Sequence, residues 1–122
     1  MQLVTTRVIG VFIVLTACAA TPVAQVRAQT QAEMNAEAHA DFVKADAELN
    51  KTYEALLKKL PDAESKEKLK QSQRAWLAFR DAEAAFAADE ARGGSMAPTI
   101  RYETMTELTQ QRIKQLKSHL EQ

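Results

Sequence analysis

With 122 residues, 46% apolar and 26% charged, the chain has the length and composition of one globular domain and is neither disordered nor collagen-like. Sixteen basic residues balance sixteen acidic ones, so the basic excess that neutralises phosphates is missing and nucleic acid is not expected as a partner. Three Gly, three Pro, one Cys and two His leave little material for a metal cluster, a disulfide framework or a phosphate cradle; no cofactor is expected and an ordinary enzyme site is disfavoured.

The first element is an export signal. Residues 8–20 form an uncharged apolar run behind Arg7. The run is shorter than the roughly 20 residues needed to span a bilayer and fits the apolar region of a signal peptide. Two processing routes stand side by side. Leu15-Thr16-Ala17-Cys18 resembles a lipobox, which would make residues 1–17 a lipoprotein signal and leave Cys18 lipidated. Val26-Arg27-Ala28 offers the small-x-small pattern read by ordinary signal peptidase before Gln29, making 1–28 the signal and 29–122 a single helical domain. That cleavage removes two basic residues, 16 − 2 = 14 against 16 acidic, for a net charge near −2. The domain would hold no cysteine and would rest on its apolar core in an oxidising compartment.

Helix breakers after residue 28 fall in two places, Pro61-Asp62 and Gly93-Gly94-Ser95 with Pro98, and they divide the chain into three helices. The first is expected over about 31–60, with Phe42, Asp46, Leu49, Tyr53, Leu56 and Leu60 on its inner stripe. The second opens on Asp62 as N-cap and continues to about Arg92, with Leu69, Trp76, Phe79, Ala82 and Phe86 inward and Gly93 closing it. The third starts between Ser95 and Pro98 and buries Met105, Leu108, Leu116 and Leu120. No stretch alternates apolar and polar residues for long enough to make a strand. The expected fold is all-α: an elongated antiparallel three-helix bundle with short connections.

Polar side chains at core spacing are the informative departures. Asp46 and Asn50 lie on the first stripe, Gln73, Arg80 and Glu83 flank Trp76 and Phe79, and Thr109 and Arg112 interrupt the third. Buried unpaired charges cost several kcal/mol, so these groups must meet one another or face water. A shared network of Asp46, Arg80, Glu83 and Arg112 is expected at the helix junction, as ties that fix register or as a ligand or partner site. His39 and His119 read as solvated, and Trp76 as core. The acidic pairs Asp81/Glu83 and Asp89/Glu90 come with no nucleophile or pocket, so a hydrolase is disfavoured and a solvated or ion-paired face preferred. Gly93-Gly94-Ser95-Met96 is a plain interhelical turn or a tip presenting Ser95 and Met96 to a partner; it lacks the lysine and preceding strand of a phosphate loop.

Asp46-Ala-Glu-Leu-Asn50-Lys-Thr-Tyr53, Gln73-Arg-Ala-Trp76-Leu-Ala-Phe-Arg80-Asp81-Ala-Glu83, Gly93-Gly-Ser95 and Leu108-Thr109-Gln-Gln-Arg112 together resemble the LprI-type lysozyme inhibitor family over about residues 40–120. The resemblance implies a small, exported, all-helical bacterial domain, in many members lipid-anchored, in a family named after a member that inhibits lysozyme. It also implies a cysteine pair at the positions of Ala84 and Thr104, which this chain lacks. That cross-link would close a loop of about 20 residues, worth roughly 3 kcal/mol, so the turn around Gly93 is expected to be looser here. The function expected is a non-enzymatic cell-envelope binding protein with a protein partner such as lysozyme, contacted near Asp81, Asp89, Glu90, Ser95 and Met96. The alternative is an envelope scaffold module binding another exported protein or peptidoglycan.

Overall fold

The structure, a computed structural model, describes residues 23–122, with side chains from Thr30 onward. The apolar run 8–20 and Cys18 lie outside the described residues, and residues 26–28 fall within the first helix. Three helices follow in order: α1 (Val23–Lys59), α2 (Ala63–Ala88) and α3 (Ala97–Leu120), with a single 3-10 turn at Asp89–Ala91 and no strand among the described residues. The fold is an all-α three-helix bundle.

Each boundary has a local cause. α1 ends at Lys59 because Pro61 cannot donate a helical hydrogen bond and restricts the residue before it. Asp62, in extended conformation, then caps α2: its carboxylate accepts the Ser65 N–H at 2.7 Å and the Ser65 hydroxyl at 3.0 Å. These bonds, the backbone one first, hold the Asp62 carboxyl below its ordinary pKa. α2 does not reach Arg92 as expected but tightens after Ala88 into the 3-10 turn, a common way for a helix to end. Asp89 clasps the Arg92 guanidinium there at 2.7 and 2.5 Å, which holds Arg92 above its ordinary pKa. Gly93 follows with φ +75°, a left-handed conformation in which a side chain would be strained. Pro98 sits in the first turn of α3, where its missing N–H leaves no bond unmade.

Successive helices reverse direction, so α1 and α3 run the same way. Gln31 donates to the Thr99 hydroxyl at 3.2 Å near one end, and Lys59 to the Leu120 carbonyl at 2.5 Å near the other. α3 packs closely on both neighbours, whereas α1 and α2 approach each other less closely and are bridged by long side chains. The core is Leu49, Leu56, Ile113 and Leu116, with Tyr53, Leu69, Trp76 and Leu120 packed against it, toward the Pro61 end. Toward the Gly93 end the buried residues are smaller, among them Ala38, Ala45, Ala84 and Thr99.

The expected inner stripe of α2 is corrected at three positions. Phe79 and Phe86 are 52% and 75% exposed, and Ala82 is exposed too. The buried positions of α2 are Gln73, Arg80 and Ala84, with Leu69, Trp76 and Leu77 half-buried beside them. The side of α2 turned to the bundle therefore mixes polar and apolar residues, and the more regular apolar stripe faces out.

Candidate functional site

The polar residues singled out by spacing form two clusters on either side of Trp76. In the first, Arg80, its side chain 8% exposed, pairs with Asp46 of α1 at 2.9 Å and with its neighbour Asp81 at 3.0 Å. Asn50, one turn beyond Asp46, donates to the same carboxylate at 3.5 Å. The guanidinium lies over Phe42 at 5.1 Å and Trp76 at 5.4 Å, so the cation has anionic and aromatic partners where water is largely excluded. In the second, Arg112 of α3 donates to Gln73 at 3.1 Å, to Ser72 at 2.9 Å and to Gln115 at 3.3 Å, and approaches Trp76 at 5.8 Å from the other helix. Partial burial holds Arg112 below its ordinary pKa. Glu83 belongs to neither cluster; it is exposed, on the far flank of α2. Thr109 is fully buried, and its hydroxyl is the unpartnered buried side-chain group among the described residues.

The turn end is tied to α1. Asn35 donates to the Ser95 carbonyl at 3.3 Å and accepts from the Thr99 hydroxyl, and Gly94 donates to the Ala91 carbonyl at 2.8 Å. At the positions where the resemblance placed a disulfide, Ala84 is fully buried and the Thr104 hydroxyl donates to the Ile100 carbonyl of its own helix at 2.8 Å. Asp89, Glu90, Ser95 and Met96 are exposed at this end, although Asp89 is engaged by Arg92. Asp81 lies eight residues before Asp89, about 12 Å back along α2, and is held by Arg80. The five residues expected at the tip therefore do not form one patch.

Met96 instead opens onto a groove that spacing alone did not single out. Its walls are α1 and α3, its volume is about 590 Å³, and its lining holds Glu37, Asp41, Glu103 and Glu107 with Met34, Ala38, Met96 and Thr99. No lysine or arginine lines it, and none of the four carboxylates has an ion pair among the described residues. Each helix contributes its two acids at i and i+4, a like-charge spacing that slightly destabilises a helix. Those two unfavourable pairs were the available signal in the sequence. By contrast, Glu48 on α1 pairs with Lys117 of α3 at 2.7 Å, and that bond and charge hold the Glu48 carboxyl below its ordinary range.

His39 is exposed with its ring edge-on to Tyr102 at 4.8 Å, and His119 is exposed near the C-terminal end of α3. Among the described residues no group of three His, Cys, Asp or Glu is placed to hold a metal ion, and no helix is long and apolar enough to cross a membrane. The arrangement offers an anionic groove with two exposed methionines in its lining at one end of a small bundle, a surface suited to contact with a cationic partner.

Among known proteins, the family described as Lysozyme inhibitor LprI matches residues 23–116. An uncharacterized protein of Rhizobium meliloti (strain 1021) is 39% identical over 107 residues, covering 78% of this chain and 77% of its own length. No solved structure matches.

Proposed function

Because the chain belongs to the LprI lysozyme inhibitor family, we propose that it is an exported cell-envelope protein that binds lysozyme and blocks its access to peptidoglycan. The family match over residues 23–116 is the observation that carries this reading. Two features of the chain support it. The apolar run at 8–20 fits export to the compartment where lysozymes act, as an ordinary secreted domain or as a lipoprotein anchored through Cys18. The α1/α3 groove supplies four unpaired carboxylates beside exposed Met34 and Met96.

Lysozymes that attack bacteria are commonly cationic and cut with two carboxylates in a cleft. An anionic, partly apolar surface attracts such an enzyme over the Debye length, about 8 Å at physiological salt, and its methionines give short-range contact. The contact surface proposed is this groove with Ser95 and Met96 at its mouth. Glu90 adds negative charge at the same end of the bundle, whereas Asp89 is engaged by Arg92 and Asp81 keeps its place beside Arg80. The protein contributes binding and occlusion, with no bond made or broken.

The test is a muramidase assay with a cationic lysozyme and increasing amounts of the purified protein. Saturable inhibition that weakens as salt rises is expected. Replacing the groove acids together (E37Q, D41N, E103Q, E107Q) should raise the half-inhibitory concentration by about tenfold or more. Absence of inhibition at large molar excess removes the lysozyme reading; full inhibition by the quadruple variant moves the contact off the groove.

A further inference from the structure

The outward stripe of α2 has a geometry of its own. Ala75, Phe79, Ala82 and Phe86 follow one another at spacings of four, three and four, opposite the buried Gln73, Arg80 and Ala84. Phe79 and Phe86 are 52% and 75% exposed, so no described residue covers either ring fully. That spacing makes a nearly straight apolar seam, the pattern by which one helix packs lengthwise on another.

We propose that this seam is a homodimer interface, in which α2 packs antiparallel on α2 of a second copy about a two-fold axis between Phe79 and Ala82. Two properties of the sequence select a second copy as the occupant. The first is size. Under such an axis Phe79 faces Ala82 of the partner subunit and Phe86 faces Ala75 of the partner subunit, because both pairs share one midpoint along the helix. Each large ring meets a small methyl, the self-complementarity that an isologous interface requires.

The second is charge. Leaving out Arg80 and Asp81, which pair with each other away from the seam, residues 67–79 carry three basic side chains and one acidic, and residues 82–94 carry three acidic and one basic. The antiparallel arrangement places each basic half beside the acidic half of the other copy, whereas a parallel one would set like against like. Glu83 and Glu90 have no ion-pair partner among the described residues and are available for such pairing. α2 is 26 residues, about 39 Å long, so the seam is narrow and the dimer is of the weak, concentration-dependent kind. No residue of α2 lines the acidic groove, so the dimer carries two open grooves.

Sedimentation velocity over a concentration series, on the protein as the exporting cell processes it, tests the proposal. The wild-type protein should show reversible exchange between one-chain and two-chain species, favouring the single chain as salt rises. Phe86→Glu should be a single chain throughout with an unchanged far-UV spectrum, since the ring it replaces is largely exposed. Ala82→Phe adds apolar surface but places ring against ring, so it should weaken the dimer by about tenfold or more. Phe79→Ala combined with Ala82→Phe exchanges ring and methyl and should restore it. A wild-type protein that remains a single chain at every concentration overturns the proposal. So does an Ala82→Phe variant that associates more strongly, which would mark the stripe as indiscriminately adhesive or as the seat of another occupant, such as a lipid surface or the apolar segment 8–20.

Discussion

Arg80 and Arg112 approach the indole of Trp76 from different helices, and each keeps its charge in a half-dry site by a different means. Arg80 has carboxylates, Asp46 and Asp81; Arg112 has only neutral oxygens, on Gln73, Ser72 and Gln115. Truncating Arg112 leaves the buried Gln73 without its donor and removes packing from one side of Trp76. Arg112→Ala is therefore expected to cost about 1–3 kcal/mol, which in a domain near 100 residues lowers the midpoint of thermal unfolding by roughly 5–15 °C. An unchanged melting curve would mean that the cluster does not tie α3 to α2. Thr109 predicts the opposite sign. Its hydroxyl is buried without a partner, so Thr109→Val keeps the shape, removes a desolvated polar group and should raise stability by about 1 kcal/mol in urea unfolding. A loss of stability would show that the hydroxyl is bonded in solution.

Among the elements, α2 separates what could be read from the sequence from what could not. Its start was legible because adjacent residues supply both signals, Pro61 the break and Asp62 the capping oxygen. Its orientation was not, because the helix carries two stripes. Apolarity alone favours Ala75, Phe79, Ala82 and Phe86, yet the side that packs holds Gln73, Trp76, Arg80 and Ala84. The cost of burying Arg80 and Gln73 is offset by partners on α1 and α3, and those partners lie more than thirty residues away in the chain. The two ends of the polar network were visible as oddities of spacing, but its division by Trp76 and the exclusion of Glu83 depend on how α2 leans on α3. The groove was hidden for a related reason, since neither acidic pair signals anything until α1 and α3 are side by side.

The cap gives α2 a pH dependence. The folded-state pKa of Asp62 is depressed from its ordinary 3.8, so its contribution is present above that value and is lost as pH falls through the folded value. The difference in melting temperature between wild type and Asp62→Ala should be full at neutral pH and shrink below about pH 4. A difference that persists unchanged into stronger acid would assign the cap to something other than the ionised carboxylate.

At the scale of the whole molecule, the bundle is asymmetric from end to end. The larger apolar side chains gather toward the Pro61 turn, whereas the Gly93 end is closed by small residues and by hydrogen bonds from Gln31 and Asn35 to Ser95 and Thr99. An end built in this way leaves room between α1 and α3, and that room is where the four unpaired acids stand. One side of the molecule is thus anionic and grooved, and another, the back of α2, is apolar with a charge polarity along it. These surfaces suit different partners, a cationic enzyme for the first and a second copy for the second.

The most direct test of the central claim is the initial rate of peptidoglycan hydrolysis by a cationic lysozyme, titrated with the wild-type protein and with the quadruple groove variant at low and moderate salt. The account predicts saturable, salt-sensitive inhibition by the wild type and at least about tenfold weaker inhibition by the variant. A hydrolysis rate that the wild-type protein leaves unchanged at large molar excess would contradict it.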